Sequence, residues 1–392
     1  MRLFDYDKAA VLMGAAHIDL ILAHTWPNVD YLTDYHWIRA FKRDNFITED
    51  GKSYYASFVG IPREDQENPF YVGLSSELGY PEEYCLWIED RRYWGASFVV
   101  SGGEQQLEVE GDVIGQVAVA VRERGLERGT IGIEWRQIEM VHFEALREAL
   151  PEATFVDAEP LLWRLREIKG AEEIRRLRAA AEGTSAVFDL CFSTATVGMT
   201  EWDMDNFIGR AMAERGLFYN WIDIGFGPKG ARSLATGDTR LRAGELMRLD
   251  LGGRYKGYPC DMARSLAVGG RVNAQAQRAH EVILETNRRL REALRPGVTG
   301  RELYRLCMAS IEDGGYISLT RQAGHSLGRT PHEPPFMTEE YDEPVKPGMI
   351  IVLEPTIRVE GVGSVNIEDM MLVTEDGSEC LTTSPRELNA FL

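Results

Sequence analysis

Three apolar runs in the C-terminal half of this chain each carry a carboxylate, which constrains the fold more than any other feature. Asp250 closes LMRLD, Glu354 closes MIIVLE and Glu368 lies inside VNIEDMMLV. The neighbouring residues are those of buried strands. A carboxylate among them is costly to bury unless it is paired or bound to a metal. Asp261 follows Asp250 across RYKGYP, a glycine-containing turn. A strand, a turn and a returning strand would bring both carboxylates onto one face of a hairpin. His325 sits in AGHSLG, flanked by glycines. Four hard oxygen donors and one imidazole suit two divalent ions of the Mn2+, Fe2+, Co2+ or Zn2+ kind.

Composition narrows the partners. The 392 residues suggest two or three domains. Forty-three basic and 62 acidic residues leave a formal charge of −19, with a pI near 4.9. Such a surface argues against nucleic acid, whose binding needs basic groups to replace counterions. With seven lysines and arginines scattered among acids, no polybasic membrane patch is expected either. Five cysteines (Cys85, Cys191, Cys260, Cys307 and Cys380) are odd in number and show no CxxC spacing. They read as free thiols of a reducing, cytoplasmic compartment. Asp5, Lys8 and Asp19 interrupt the start, so no signal peptide is expected, and no run of 18 apolar residues spans a membrane.

The texture of the chain changes near residue 165. Before it, strand signals at Ile18–Leu22, Phe70–Val72 and Thr130–Ile133 alternate with helical spacing at Val113–Arg124 and Ile138–Leu150. That alternation predicts an α/β domain over 1–165. From Leu161 to about Ala195 the chain is helix-forming, broken at Gly170. The second domain, 166–392, is expected to be α+β. It has strands at Leu246–Leu251 and Met349–Leu353 and helices at Ala274–Leu294 and Gly300–Asp313. Thr299 and Glu302 form a capping box at the start of the last helix.

The segments DLGGRYKGYPCDMARS, GHSLGRTPHEPP, VLEPTI and NIEDMMLVTEDGSECLTTSPREL together resemble the pita-bread metallohydrolases, which include Xaa-Pro dipeptidases and aminopeptidase P. NVDYLTDY and LREIKGAEEIRRLRAAA resemble the creatinase-type N-terminal domain and linker of the same family. The resemblance implies a creatinase-like α/β domain followed by a pita-bread catalytic domain. It implies that Asp250 holds one metal, that Asp261 and Glu368 hold both, and that His325 and Glu354 complete the second sphere. The ions would activate water and polarise a substrate carbonyl. His332, in the HEP segment, would hydrogen-bond the carbonyl or oxyanion, and Glu354 would also shuttle a proton. Mn2+ is the first expectation, with Fe2+, Co2+ and Zn2+ as alternatives. The implied reaction is hydrolysis of a C–N bond, most simply the Xaa–Pro imide bond of a short peptide.

Three positions depart from the peptidase pattern. Ser233 replaces a histidine seventeen residues before Asp250, Arg321 replaces one four before His325, and Asn366 replaces an arginine two before Glu368. All three are candidate substrate contacts, and Arg321 could bind a carboxylate bidentately. Two other readings therefore stand beside the peptidase: a hydrolase or lyase of a small amide or osmolyte, and a non-catalytic binding protein. His36, Trp37 and Arg39 lie in an aromatic and basic stretch. In the dipeptidases this region of one subunit often reaches the partner's active site. A homodimer is accordingly expected, with these three and Trp221 as further substrate contacts.

Overall fold

A computed structural model describes residues 2–35, 56–77, 86–95, 112–229 and 236–391. His36, Trp37, Arg39, Ser233 and Cys85 lie outside the described residues. The chain divides into two compact units, Met1–Arg166 and Glu167–Leu392.

The first unit is built on six strands: β1 Leu20–Ala23, β2 Phe58–Pro62, β3 Phe70–Leu74, β4 Asp90–Trp94, β5 Thr130–Ile133 and β6 Thr154–Asp157. Their order is β4-β3-β2-β1-β5-β6. The sheet is mixed, with β1 antiparallel to β2 and parallel to β5. β1, β2 and β3 are apolar and buried along their whole length because both of their faces are covered. Leu20 and Leu22 join Phe58, Phe70 and Val72 beneath helix Val113–Glu123. Ile21 and Ala23 turn the other way, against Ala9 and Met13 of helix Tyr6–Ala15 and Leu162 and Leu165 of helix Glu159–Arg166. β1 begins two residues later than the apolar run suggests. His17 takes a positive φ of 54°, and the Ile18 amide bonds back to the Met13 carbonyl. Ile18 therefore closes the first helix instead of opening the strand.

The second unit opens with helix Ala171–Thr194. Gly170 is its N-cap, and the Glu173 side chain accepts from the Gly170 amide at 2.8 Å. Its strands are β7 Phe218–Phe226, β8 Leu246–Tyr255, β9 Tyr258–Pro259, β10 Met262–Ala267, β11 Gly324–Ser326, β12 Glu333–Phe336, β13 Ile350–Leu353, β14 Thr356–Val359, β15 Gly363–Val373 and β16 Ser378–Cys380. The main path runs β12-β11-β13-β15-β10-β8-β7. Helices Ala274–Ala293 and Gly300–Asp313 cover one face. Ile283, Leu290, Leu303 and Ile311 pack there against Ile351, Leu353, Val365, Ile367 and Met371. Thr299 and Glu302 make the expected capping box. Strand alternation then sends Asn366, Glu368 and Met370 to the opposite face, where the carboxylates gather.

The β8–β10 excursion is the expected hairpin. Tyr255 pairs with Tyr258 across Lys256 and Gly257, whose φ values of 41° and 88° give the twist a two-residue hairpin turn needs. Gly252 lies where that hairpin is tightest. A Cβ there would stand 2.0 Å from the Cys260 carbonyl oxygen and 2.4 Å from the Trp221 ring. Gly252→Ala is expected to cost about 2–4 kcal/mol, read as a lower urea midpoint. Gly209→Ala, in helix Glu201–Glu214 with nothing within 4 Å of the new methyl, is expected to be neutral or to gain up to about 1 kcal/mol.

Candidate metal centre

Register brings the five predicted ligands to one face of the second sheet. Asp250 on β8 and Glu368 on β15 both pair with Ala263 on β10, so the three share one cross-strand row. Asp261 precedes β10 by one residue and lies two before Ala263, hence on the same face. On the other side of β15, His325 pairs with Val352, and Val352 with Met370. Glu354, two residues after Val352, and Glu368, two before Met370, share that face. The result is two overlapping clusters: ligand atoms of Asp250, Asp261 and Glu368 lie within 4.8 Å of one another, as do those of His325, Glu354 and Glu368.

His325 is fully buried. Its Nδ1 lies 3.0 Å from the Ser326 carbonyl oxygen, which can only accept, so Nδ1 carries the proton. Burial holds the imidazole down to about 4, so the ring is neutral at physiological pH. Nε2 therefore presents a lone pair. It faces Asp261 Oδ2 at 3.7 Å, Glu354 Oε1 at 3.9 Å and Glu368 Oε1 at 3.9 Å. Among the described residues, neither His325 Nε2 nor the buried Glu368 Oε2 has a hydrogen-bond partner. A lone pair turned toward three carboxylates is repulsive by itself and becomes favourable with a cation between them. The donor set thus fits divalent ions.

The carboxyls respond to the same crowding. Burial pushes Asp261 and Glu368 well above the usual carboxylate range, and neighbouring acids add to it. Asp250 is pushed up to about 6 by burial, against the pull of Arg248. Glu354 is raised by burial and partly held back by Gln322, whose Nε2 donates to Glu354 Oε1.

His332 is exposed, unlike the five. Its ring lies 4.1 Å from that of His325, centroid to centroid. A nitrogen of His332, one of His325 and an oxygen of Asp261 fall within 4.8 Å of one another. The loop carrying His332 is pinned by buried Glu333, whose Oε1 accepts from the Thr330 amide at 2.8 Å. Trp221 pairs with Gly252 on β8, next to the pairing of Ile222 with Leu251 and of Asp223 with Asp250. Arg321 is exposed. Asn366 is buried, and its Oδ1 accepts from Arg248 Nε at 3.0 Å and from Ser265.

Three residues at this face were not singled out from the sequence: Asp223, Arg248 and Gln322. Arg248 donates to Asp223 Oδ2 and Asp250 Oδ2, both at 2.6 Å. A signal existed, since a charged residue in the middle of LMRLD, two before Asp250, must share its face. Asp223 and Gln322 gave none, because Asp223 meets the cluster only through the pairing of β7 with β8 and Gln322 only through the path of its loop.

Comparison with known proteins follows this geometry. The profile of metallopeptidase family M24 matches residues 175–375, and that of the creatinase/prolidase N-terminal domain matches residues 6–168. An Xaa-Pro dipeptidase of Lactobacillus helveticus is 30% identical over 296 residues, 72% of this chain and 80% of that protein. An uncharacterized peptidase of Bacillus subtilis is 29% identical over 308 residues, 78% of this chain and 86% of that protein. Among solved structures, an Xaa-Pro dipeptidase from Bacillus anthracis superposes with a TM-score of 0.81 at 25% identity, covering 98% of both chains.

In the metal-free chain, the raised carboxyls make the folded state bind more protons than the unfolded chain above the ordinary carboxylate range. Their contribution to stability therefore falls as pH rises through the raised values. A divalent ion replaces those protons. Mn2+ is expected to raise Tm more at about pH 7.5 than at about pH 5.5, and to release protons on binding, measured by calorimetry in two buffers of different ionisation enthalpy. Equal shifts at both pH values contradict this.

Proposed function

This chain belongs to metallopeptidase family M24, with a creatinase-like domain ahead of a pita-bread catalytic domain, and we propose that it hydrolyses the Xaa–Pro imide bond of short peptides with two divalent ions. The observation that carries this reading is the neutral His325 lone pair turned toward three buried carboxylates. The names of the Lactobacillus and Bacillus anthracis relatives support the substrate class.

In this reading Asp250, Asp261, His325, Glu354 and Glu368 would hold the two ions, with Asp261 and Glu368 shared between them. Mn2+ suits a set dominated by carboxylate oxygens. When bound, the ions supply an acidified water and polarise the scissile carbonyl. The protein's own groups do the rest. His332 is open to solvent on one side and packed against His325 on the other; partial desolvation and His325 lower its pKa, and Glu354 opposes them. His332 is a neutral donor that hydrogen-bonds the carbonyl oxygen as negative charge develops there. Glu354, with its raised carboxyl, accepts the water proton and returns it to the proline nitrogen as the C–N bond breaks. Hydroxide adds to the acyl carbon and the proton to the leaving amine, which balances the hydrolysis. In the same reading Trp221, Arg321 and Asn366 would be substrate contacts, with Arg321 pairing with a substrate carboxylate. Ser233, His36, Trp37 and Arg39 complete the proposed contacts, the last three across a homodimer. Free thiols and an acidic surface agree with a cytoplasmic protein. Among the described residues, no helix is long and apolar enough to cross a membrane.

Two variants test the assignment. Asp261→Asn is expected to abolish turnover of dipeptides with proline in second position while the far-UV spectrum is unchanged; a wild-type rate would misplace the site. His332→Ala is expected to lower kcat by roughly 10²–10³-fold with full metal content. Loss of metal from that variant, measured by elemental analysis, would make His332 a ligand instead. Full metal loading with inertness toward every Xaa-Pro dipeptide contradicts the substrate class.

A further inference from the structure

Asp223 stands directly opposite Asp250 in the β7–β8 register, so by position alone it would be a sixth ligand. Its chemistry is already spent. Arg248 lies between the two carboxylates, reaching Asp223 Oδ2 through Nη1 and Asp250 Oδ2 through Nη2, both at 2.6 Å. Its third contact, Nε to Asn366 Oδ1 at 3.0 Å, fixes the plane of the fork. Asn366 is fixed in turn, since its amide donates to Ser265 Oγ at 3.1 Å, and Ser265 pairs with Arg248. The guanidinium is nearly buried, with a side-chain exposure of 11%. A planar guanidinium can bridge two carboxylates and an amide oxygen at once, whereas an ammonium cannot hold that geometry.

We propose that Arg248 is the positioning residue of the metal centre: clamped by Asp223 and Asn366, it holds Asp250 by one oxygen so that the other is aimed at the ion. The charges agree. Asp223, Asp250, Asp261, Glu354 and Glu368 carry five negative charges when ionised, and Arg248 cancels that of Asp223. The four that remain match two divalent cations. Asp223 is then part of the clamp and no ligand. Two opposed effects act on the ion held by Asp250: the guanidinium repels it, and the anchored carboxylate receives it without first losing rotamer freedom. The inference is that anchoring wins, as it does where outer-sphere partners orient metal ligands.

The inference rests on the dinuclear reading, and one experiment separates the two. Co2+ is titrated into the metal-free full-length chain, followed by visible absorption and calorimetry, with folding checked by far-UV circular dichroism. Arg248→Met is expected to bind one ion as the wild type does and the other 10–100-fold more weakly, with an altered Co2+ spectrum. Arg248→Lys is expected to recover part of the loss, because one donor replaces a fork. Asp223→Asn loosens the guanidinium without touching Asp250. It is expected to weaken the same ion by a smaller factor, still with two ions bound, and it decides the matter if Arg248→Met does not fold. Wild-type or tighter binding of both ions in folded Arg248→Met overturns the inference, as does unchanged affinity in Asp223→Asn. A wild-type chain that binds no Co2+ defeats the dinuclear reading itself, which is a different result.

Discussion

A neutral imidazole turned by its own backbone toward buried carboxylates is the contact on which the rest of the catalytic unit depends. Its lone pair lies 3.7 Å from one carboxylate oxygen and 3.9 Å from two others, an arrangement that a shared cation turns from repulsive to favourable. The Nδ1 bond to Ser326 makes the arrangement rigid, because it fixes both the tautomer and the ring plane. The sheet is organised around that demand. Its central strands pair so that Asp250, Glu368 and Glu354 arrive on one face, while Ile351, Leu353, Val365 and Ile367 fill the other against two helices.

The electrostatic load of such a face is carried on both sides of the sheet. On the ligand side, Arg248 donates to Asp223 and Asp250, and Gln322 to Glu354. On the helix side, Arg264 is fully buried and donates to the Glu368 carbonyl at 2.7 Å and to Asp369 Oδ1 at 2.8 Å. Asp369 also receives Arg386 and Thr382. Burial alone would raise its carboxyl, but two arginines outweigh burial and hold it well below the usual range. A buried pair of this kind contributes little net stability, because desolvation offsets attraction. Its value is positional: it ties β10, β15 and the chain after β16 together directly beneath the ligand row.

Much of this was legible in the residues. Apolar runs ending in acids located the strands of the centre, Gly170 marked the start of helix Ala171–Thr194, and Thr299 with Glu302 marked that of helix Gly300–Asp313. Local signals of this kind depend only on neighbours in sequence. What stayed hidden depends on pairing. Asp223 becomes part of the centre because β7 lies beside β8 in one register, and Gln322 because its loop passes next to the end of β13. The tie between Asn366 and Arg248 was hidden too, since the two lie 118 residues apart in sequence. Periodicity assigns a residue to a face, but only the fold says what shares it.

Glu368 and Asp369 are consecutive residues with opposite fates. One carboxyl is raised well above its ordinary range among other acids, and the other is held well below it between two arginines. A one-residue slip of β15 would reverse their faces, turning Glu368 toward the helices and Asp369 toward the other acids. Most sheets rely on apolar patterning alone to reject such a slip. Here adjacent acids act as a charge-coded check on alignment, so the pairing that assembles the catalytic face is also the pairing the folding chain can accept.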